Sequence, residues 1–200
     1  MQQRSRARVE RLLSAARAIL ERDGMDALTA ARVAKEAGVP VGSFYQYFPN
    51  KQAVLMAFYQ DYLHRTFEML QKADAVAARA SDWRRYMTEY IRYSRAHELR
   101  DTVVIELFAA IRSYPELEAI DAQYTEQVVD FLVGRFVALG ARATEPRLKR
   151  AAHFVFELNN AAWTYQIRAG GRYVERETTQ WLTGAVLGVL EHVFEGPGAV

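Results

Sequence analysis

Cysteine is absent from all 200 residues, which removes a disulfide framework, a thiolate metal site and a thiol nucleophile in one step. A reducing compartment is compatible with such a chain, and a cytoplasmic location is the expectation. No apolar run approaches the roughly 18 residues that a membrane-spanning helix requires. The opening residues, MQQRSRARVERLL, have neither the apolar core nor the small-residue cleavage site of a secretory signal. Also missing are an alternating strand pattern of useful length, an internal repeat, a phosphate-cradling glycine motif and a serine in nucleophile-elbow context. Of the four histidines, His64, His97, His153 and His192, His153 shares a helix face with Glu157 at i and i+4, a possible two-ligand metal edge. No second His or Cys joins them, so a solvated or interface pair is expected, with no metal, no cofactor and no catalytic residue.

What is present is the composition of a globular chain long enough to bury a real core: half hydrophobic, one quarter charged. The net charge of +2 conceals an asymmetry. Residues 1–51 hold nine Lys or Arg against five Asp or Glu, whereas the remainder holds seventeen against nineteen. A basic head on a neutral to acidic body suits contact with nucleic acid, although four charges are also compatible with ordinary surface.

The basic part contains the most structured stretch, Thr29 to Leu55. Thr29 is an N-cap candidate, Val33, Ala34 and Ala37 form a narrow apolar stripe, and Gly38 stands where positive φ stops a helix. After Pro40, the segment Val41 to Phe48 is too short to be a stable helix alone and must be held by neighbours. Phe44 and Phe48, at i and i+4, supply a buried face and leave Val41, Ser43, Gln46 and Tyr47 to point outward. A mixed apolar and hydrogen-bonding face on a short helix is what reading base edges in a major groove needs. A solvated helical hairpin in an ordinary bundle would show the same spacing.

A turn of this length containing glycine fits helix-turn-helix geometry, and here the chain resembles the TetR family of transcriptional regulators. The resemblance rests on Thr29, Val33, Ala34, Ala37, Gly38, Val39, Gly42, Tyr45, Tyr47, Phe48, Lys51 and Leu55. It is close over the first quarter of the chain and beyond that extends to helical layout. Pro40 departs from it, since the family usually has a Ser or Thr cap there. The resemblance implies a DNA-binding set of Thr29, Val41, Ser43, Tyr45, Gln46, Tyr47 and Lys51. Tyr45, Tyr47 and Lys51 would clamp the backbone while Val41, Ser43 and Gln46 face bases. Lys51 also occupies the positive end of the next helix, a placement an incoming phosphate repairs. Arg4, Arg6 and Arg8 read either as a basic arm for DNA or as a frayed terminus.

The rest reads as helices, giving an all-α fold with a head at 1–51 and an effector-binding and dimerisation body at 52–200. The first helix carries Val9, Leu12, Leu13, Ala16, Ile19 and Leu20 to near Gly24. Asn50 caps a helix reaching about Leu70 with no Gly- or Pro-rich spacer, and Asp74 to Ala80 is ambiguous. Ser81 is the expected cap of a helix with Trp83, Tyr86, Met87, Tyr90, Ile91, Ser94 and His97 on one face. Further helices are expected at about Leu99–Ile111, from the Ser113 capping box to about Leu139, from Thr144 to about Arg168 before Gly170-Gly171, and over roughly Glu175–Phe194.

The final helix is apolar nearly all round, and Gly184 and Gly188 lie on one of its faces. A close partner helix explains tolerating both, and Ala161 and Ala162 offer similar small contacts on the helix before it. The spacing permits a two-fold four-helix interface through Ala161, Gly184 and Gly188, and the resemblance to TetR-like proteins implies it, with burial inside one chain as the alternative. Trp83, Tyr86, Tyr90, Phe108, Asn159, Asn160 and Trp163 are the candidate effector-binding residues, with core packing the more ordinary reading of each ring. The resemblance implies a homodimeric, ligand-responsive repressor of a near-palindromic operator, its partners being duplex DNA, a second copy and an unidentified small molecule. A ligand-independent architectural factor and a helical enzyme or carrier with a vestigial helix-turn-helix are the rivals.

Overall fold

The computed structural model describes residues 2–98, 103, 115–169 and 172–195, and among these it contains α-helices, one short 3-10 turn and no strand. They run α1 Gln2–Asp23, α2 Ala30–Glu36, α3 Val41–Tyr45, α4 Lys51–Ala77, α5 Trp83–Ala96, α6 Pro115–Ala138, α7 Glu145–Ala169 and α8 Arg172–Phe194. Two compact units result: residues 1–65 with 99–121, and residues 66–98 with 122–200. The helix expected over Leu99–Ile111 lies outside the described residues except at Val103, which is helical and buried, and Ser113, Gly170 and Gly171 lie outside them too.

In the first unit α1 packs on α2 and α2 on α3. The apolar stripe of α1 is buried at Leu12, Ala16, Ile19 and Leu20, as are Leu28, Val33, Ala34 and Phe44 of the same unit, each no more than 2% exposed. Arg4, Arg6 and Arg8 open the first helix, since α1 already includes them. The helix starts earlier than its apolar stripe because residues 2–8 include no proline or glycine to stop it. Asn50 caps α4 as expected, its Oδ1 accepting the Ala53 amide at 2.9 Å. In the same unit the Arg17 guanidinium lies 5.2 Å from the Phe58 ring centre, and the Tyr59 hydroxyl donates to Asp121.

In the second unit α7 packs against α8, and α5 against α8. The α4 helix continues to Ala77, so the Ala-rich stretch after Asp74 is helical up to that point, with Ala73 and Ala77 buried. Asp82, one residue after the expected Ser81, caps α5 by accepting the Arg85 amide at 2.9 Å, and that bond holds its carboxyl below the usual range. Ser81 donates its hydroxyl to the same carboxylate. A carboxylate is the stronger acceptor for a helix N-terminus, which decides between neighbours. The exposed Arg84 guanidinium bridges from α5 to Glu191 and Glu195 at 3.0 and 2.6 Å. Gly140, at φ +91°, ends α6: the Ala141 amide donates to Phe136 O at 2.9 Å, a closure that needs the left-handed conformation.

Candidate nucleic-acid interface

Thr29 sets the start of α2. Its backbone is extended, and its Oγ1 accepts the Arg32 amide at 3.3 Å. Thr29→Ala should lower stability by about 1 kcal/mol, read as a shift in urea midpoint. At the other end Gly38, at φ +64°, lets its own amide reach Lys35 O at 3.2 Å while the Val39 amide reaches Ala34 O at 3.0 Å. This pair of bonds turns the chain sharply out of α2. Pro40 then stands at the N-cap of α3 with φ −60° and offers no side-chain bond, but its carbonyl accepts the Ser43 amide at 2.8 Å. The missing Ser or Thr cap thus leaves the helix start at Val41, because proline supplies the right φ without the hydroxyl.

The α3 helix ends at Tyr45, earlier than the expected Phe48, with Gln46 as its C-cap. The Phe48 amide still donates to Phe44 O at 2.9 Å, and the two rings lie 5.8 Å apart beneath the helix, 1% and 6% exposed. Aromatic burial thus holds a segment that could not hold itself. On the outer side Val41 and Tyr45, at i and i+4, are 43% and 57% exposed, and Gly42 and Gln46 are exposed with them. Ser43 and Tyr47 are half-buried, so the open face centres on Val41, Tyr45 and Gln46. Tyr45 stands edge-on to Phe44 with ring centres 5.4 Å apart. Lys51 is the half-buried first residue of α4, and Thr29 is exposed at the first residue before α2. Surface ion pairs from Arg22 to Glu36 and from Arg32 to Asp23 join α1 to α2.

The candidate effector residues are distributed unevenly. Trp83 stacks on Phe194 at 4.6 Å with the Arg84 guanidinium 4.4 Å from its ring. Tyr86 donates to Asp74 at 2.5 Å and stacks on Tyr90 at 6.0 Å. Burial first, then the Asp74 bond, raise the Tyr86 hydroxyl far above its usual range, and burial does the same to Tyr90. Both phenols are therefore neutral groups at any physiological pH. Asn159, Asn160 and Trp163 are half-buried on α7, and Phe108 lies outside the described residues. His153 and Glu157 are an exposed pair at 3.4 Å, and among the described residues no cluster of three metal-ligating side chains forms.

Ala161, Gly184 and Gly188 are all exposed. Around them a groove of about 300 Å³ between α7 and α8 is lined by Leu158, Ala161, Tyr165, Trp181, Leu182 and Ala185. Trp181 is 60% exposed, Phe154 55% and Tyr165 49%. On α8 the opposite stripe, Leu182, Val186, Leu190 and Val193, is buried, so the helix has a covered face and an open apolar one. Phe154 and Trp181 escape a reading that watches for small residues. Their signal is helical spacing, since 154, 158, 161 and 165 form one stripe and 181, 185 and 188 another. Arg95 and Gln166 are also unforeseen: both are buried, although residue types of this kind are rarely inside.

Residues 12–58 match the family model described as bacterial regulatory proteins, tetR family. The chain is 30% identical to the HTH-type transcriptional repressor KstR of Mycobacterium tuberculosis over 164 residues, 79% of this chain and 71% of that one. An uncharacterised HTH-type transcriptional regulator of Haemophilus influenzae is 37% identical over 60 residues, and this match spans 30% of each chain, under a third of the relative's length. A solved transcriptional-regulator structure from Pseudomonas aeruginosa superposes with a TM-score of 0.75 at 21% identity, covering 96% of this chain and 94% of that one, which shows the shared fold. No described helix is long and apolar enough to cross a membrane. The chain belongs to the TetR family of helix-turn-helix transcriptional regulators.

Proposed function

We propose that the protein represses transcription as a homodimer whose two α3 helices read successive major grooves of a near-palindromic operator, and that a small molecule bound in the body releases the DNA. The observation that carries this reading is the outer face of α3, where Val41, Tyr45 and Gln46 stand exposed over a buried Phe44–Phe48 support. Side chains that α3 presents but does not use for folding are free to meet base edges. In this reading Thr29 and Lys51, at helix starts, together with Tyr45 and Tyr47 hold phosphates, and Ser43 joins Val41 and Gln46 in facing bases. The name of the mycobacterial relative supports the repressor sense. The open α7–α8 face supports pairing through Ala161, Gly184 and Gly188.

Release by an effector requires that the ligand bind one arrangement of the body better than the other. The expected operator has half-sites about 34–36 Å apart or at a longer in-phase distance.

Two substitutions test the division of labour. Lys51→Ala should weaken binding to every duplex alike and reduce the slope of log affinity against log salt by about 1. Gln46→Ala should cost about 1–3 kcal/mol at one base pair per half-site and leave the salt slope unchanged. Both are measured by fluorescence anisotropy on a panel of single-base operator variants across a salt series. Identical behaviour of the two variants would refute the assignment of reading to α3 and gripping to the start of α4.

A further inference from the structure

The outer face of α3 carries no charge. From Val41 to Tyr47 the chain runs Val-Gly-Ser-Phe-Tyr-Gln-Tyr, without one Asp, Glu, Lys or Arg. Phe44 is buried beneath the helix, and Ser43 and Tyr47 are half-buried, so Val41, Tyr45 and Gln46 are the exposed side chains of this stretch. With the Tyr45 phenol assigned to phosphate, two groups remain foremost for base edges: the branched methyls of Val41 and the primary amide of Gln46.

Neither the valine nor the glycine after it is there to serve the fold. Val41 is an apolar residue left 43% exposed at the first position of a five-residue helix. Valine and glycine are among the poorer helix formers, yet Gly42 follows Val41 directly. A Cβ added at Gly42 meets nothing within 4 Å, and Gly42 is not among the glycines of positive φ. Neither packing nor a left-handed turn inside the chain therefore calls for glycine here. A backbone left bare at 42 lets a partner surface come close to α3 beside the Val41 methyls.

The chemistry of base edges then selects the pairs. Guanine offers the acceptors O6 and N7, which a guanidinium or ammonium meets best, and cytosine offers an N4 amino group, which suits a carboxylate. Residues 41–47 include none of those groups. An apolar side chain laid over either edge would leave polar base atoms desolvated and unbonded, which destabilises that complex. Thymine brings an apolar group into the major groove, its C5-methyl, and adenine presents N6 and N7 as the donor and acceptor that a glutamine amide matches with two bonds.

We propose that the operator base pairs facing α3 are A·T, with Val41 packed on a thymine methyl and Gln46 hydrogen-bonded to an adenine in each half-site. The inference rests on the reading of α3 as the base-reading helix and adds the identity of the bases. Discrimination has two sources: a methyl is buried at thymine, and at guanine or cytosine the base-edge groups find no partner on α3.

The test uses the full chain and the duplex it recovers most often from a random pool, resynthesised with modified bases and titrated by fluorescence anisotropy at one salt concentration. Deoxyuridine keeps the pairing of thymidine and removes the C5-methyl alone, and 7-deazaadenine removes the N7 acceptor. At one thymine of each half-site, uracil should weaken wild-type binding about fourfold per half-site, the equivalent of one buried methyl. Val41→Ala should bind the thymine and uracil duplexes alike and, position 41 being exposed, should fold like the wild type. Gln46→Ala should keep the methyl preference and lose the sensitivity to 7-deazaadenine at its own pair. Three results overturn the proposal: G·C at the pairs whose preference changes in Val41→Ala or Gln46→Ala, no loss on uracil substitution at any thymine, or a methyl preference that survives in Val41→Ala. If the wild-type chain then still selects a consensus that Gln46→Ala alters at one pair, the base-reading role of α3 stands and only the A·T assignment falls. A pool that yields no consensus removes both.

Discussion

Phe44→Ala is expected to destabilise the first unit by about 3–5 kcal/mol and to abolish sequence-specific DNA binding. Phe44 is 1% exposed, and it lies between α3 and the rest of the helix-turn-helix core, in ring contact with both Tyr45 and Phe48. Truncation removes the largest apolar contact of a helix that spans only Val41–Tyr45, too short to persist once that contact is gone. Whole domains are stable by about 5–15 kcal/mol, so the loss is a large fraction of what is available. The neighbouring substitution Tyr45→Ala gives the contrast. At 57% exposed, Tyr45 should contribute within about 0.5 kcal/mol to stability while its loss still weakens DNA binding. Urea unfolding together with amide hydrogen exchange of residues 41–48 measures the first effect, and duplex titration the second. Equal stability losses for both variants would show that α3 is not held from one side.

Trp181→Ala is expected to raise the dimer dissociation constant at least thirtyfold, corresponding to a loss of about 2 kcal/mol or more, as for a tryptophan anchor at the centre of an interface. In the single chain the same ring is 60% exposed, so its removal should barely alter folding stability. The glycines supply a test with opposite signs. A Cβ added at Gly184 or Gly188 meets nothing within 4 Å in the chain itself. Alanine at each position should therefore stabilise α8 by up to about 1 kcal/mol if the face is solvated. If a second α8 approaches closely there, the added methyls push the helices apart and association weakens instead. Sedimentation of Gly184→Ala/Gly188→Ala across a concentration series decides between them, and weakened association is the expected result. The consequence for function is larger than the interface energy alone. Two linked heads bind their half-sites with an effective concentration that multiplies affinity by about 10²–10⁴, and a monomer forfeits it.

The features legible in the sequence are those governed by near neighbours. Gly38 announces a left-handed turn, Asn50 a cap, and Phe44 with Phe48 a one-sided support, because each acts across one to five residues along the chain. Boundaries are harder: Tyr45 rather than Phe48 ends α3, and Asp82 rather than Ser81 caps α5, where neighbouring residues compete for the same role and geometry chooses. Least legible is the polar interior. Arg95 reads as one more surface arginine until Gln166, 71 residues away, is seen to reach it. Its position four residues after Ile91 and eight after Met87, both buried, was the available signal, and residue type argued against it. The exposed Trp181 presents the mirror case, an apolar residue left 60% exposed.

The central claim is that the outer face of α3 reads base sequence. Selection of bound duplexes from a random pool at physiological salt, with the wild-type chain and with Gln46→Ala in parallel, tests it most directly. The wild-type pool should yield a two-fold symmetric consensus with half-sites in phase with the helical repeat, and the variant should lose preference at the same base pair in both halves while the rest of the consensus persists. An unchanged consensus from substitutions at Val41, Ser43 and Gln46 alike, or no consensus at all, would contradict it.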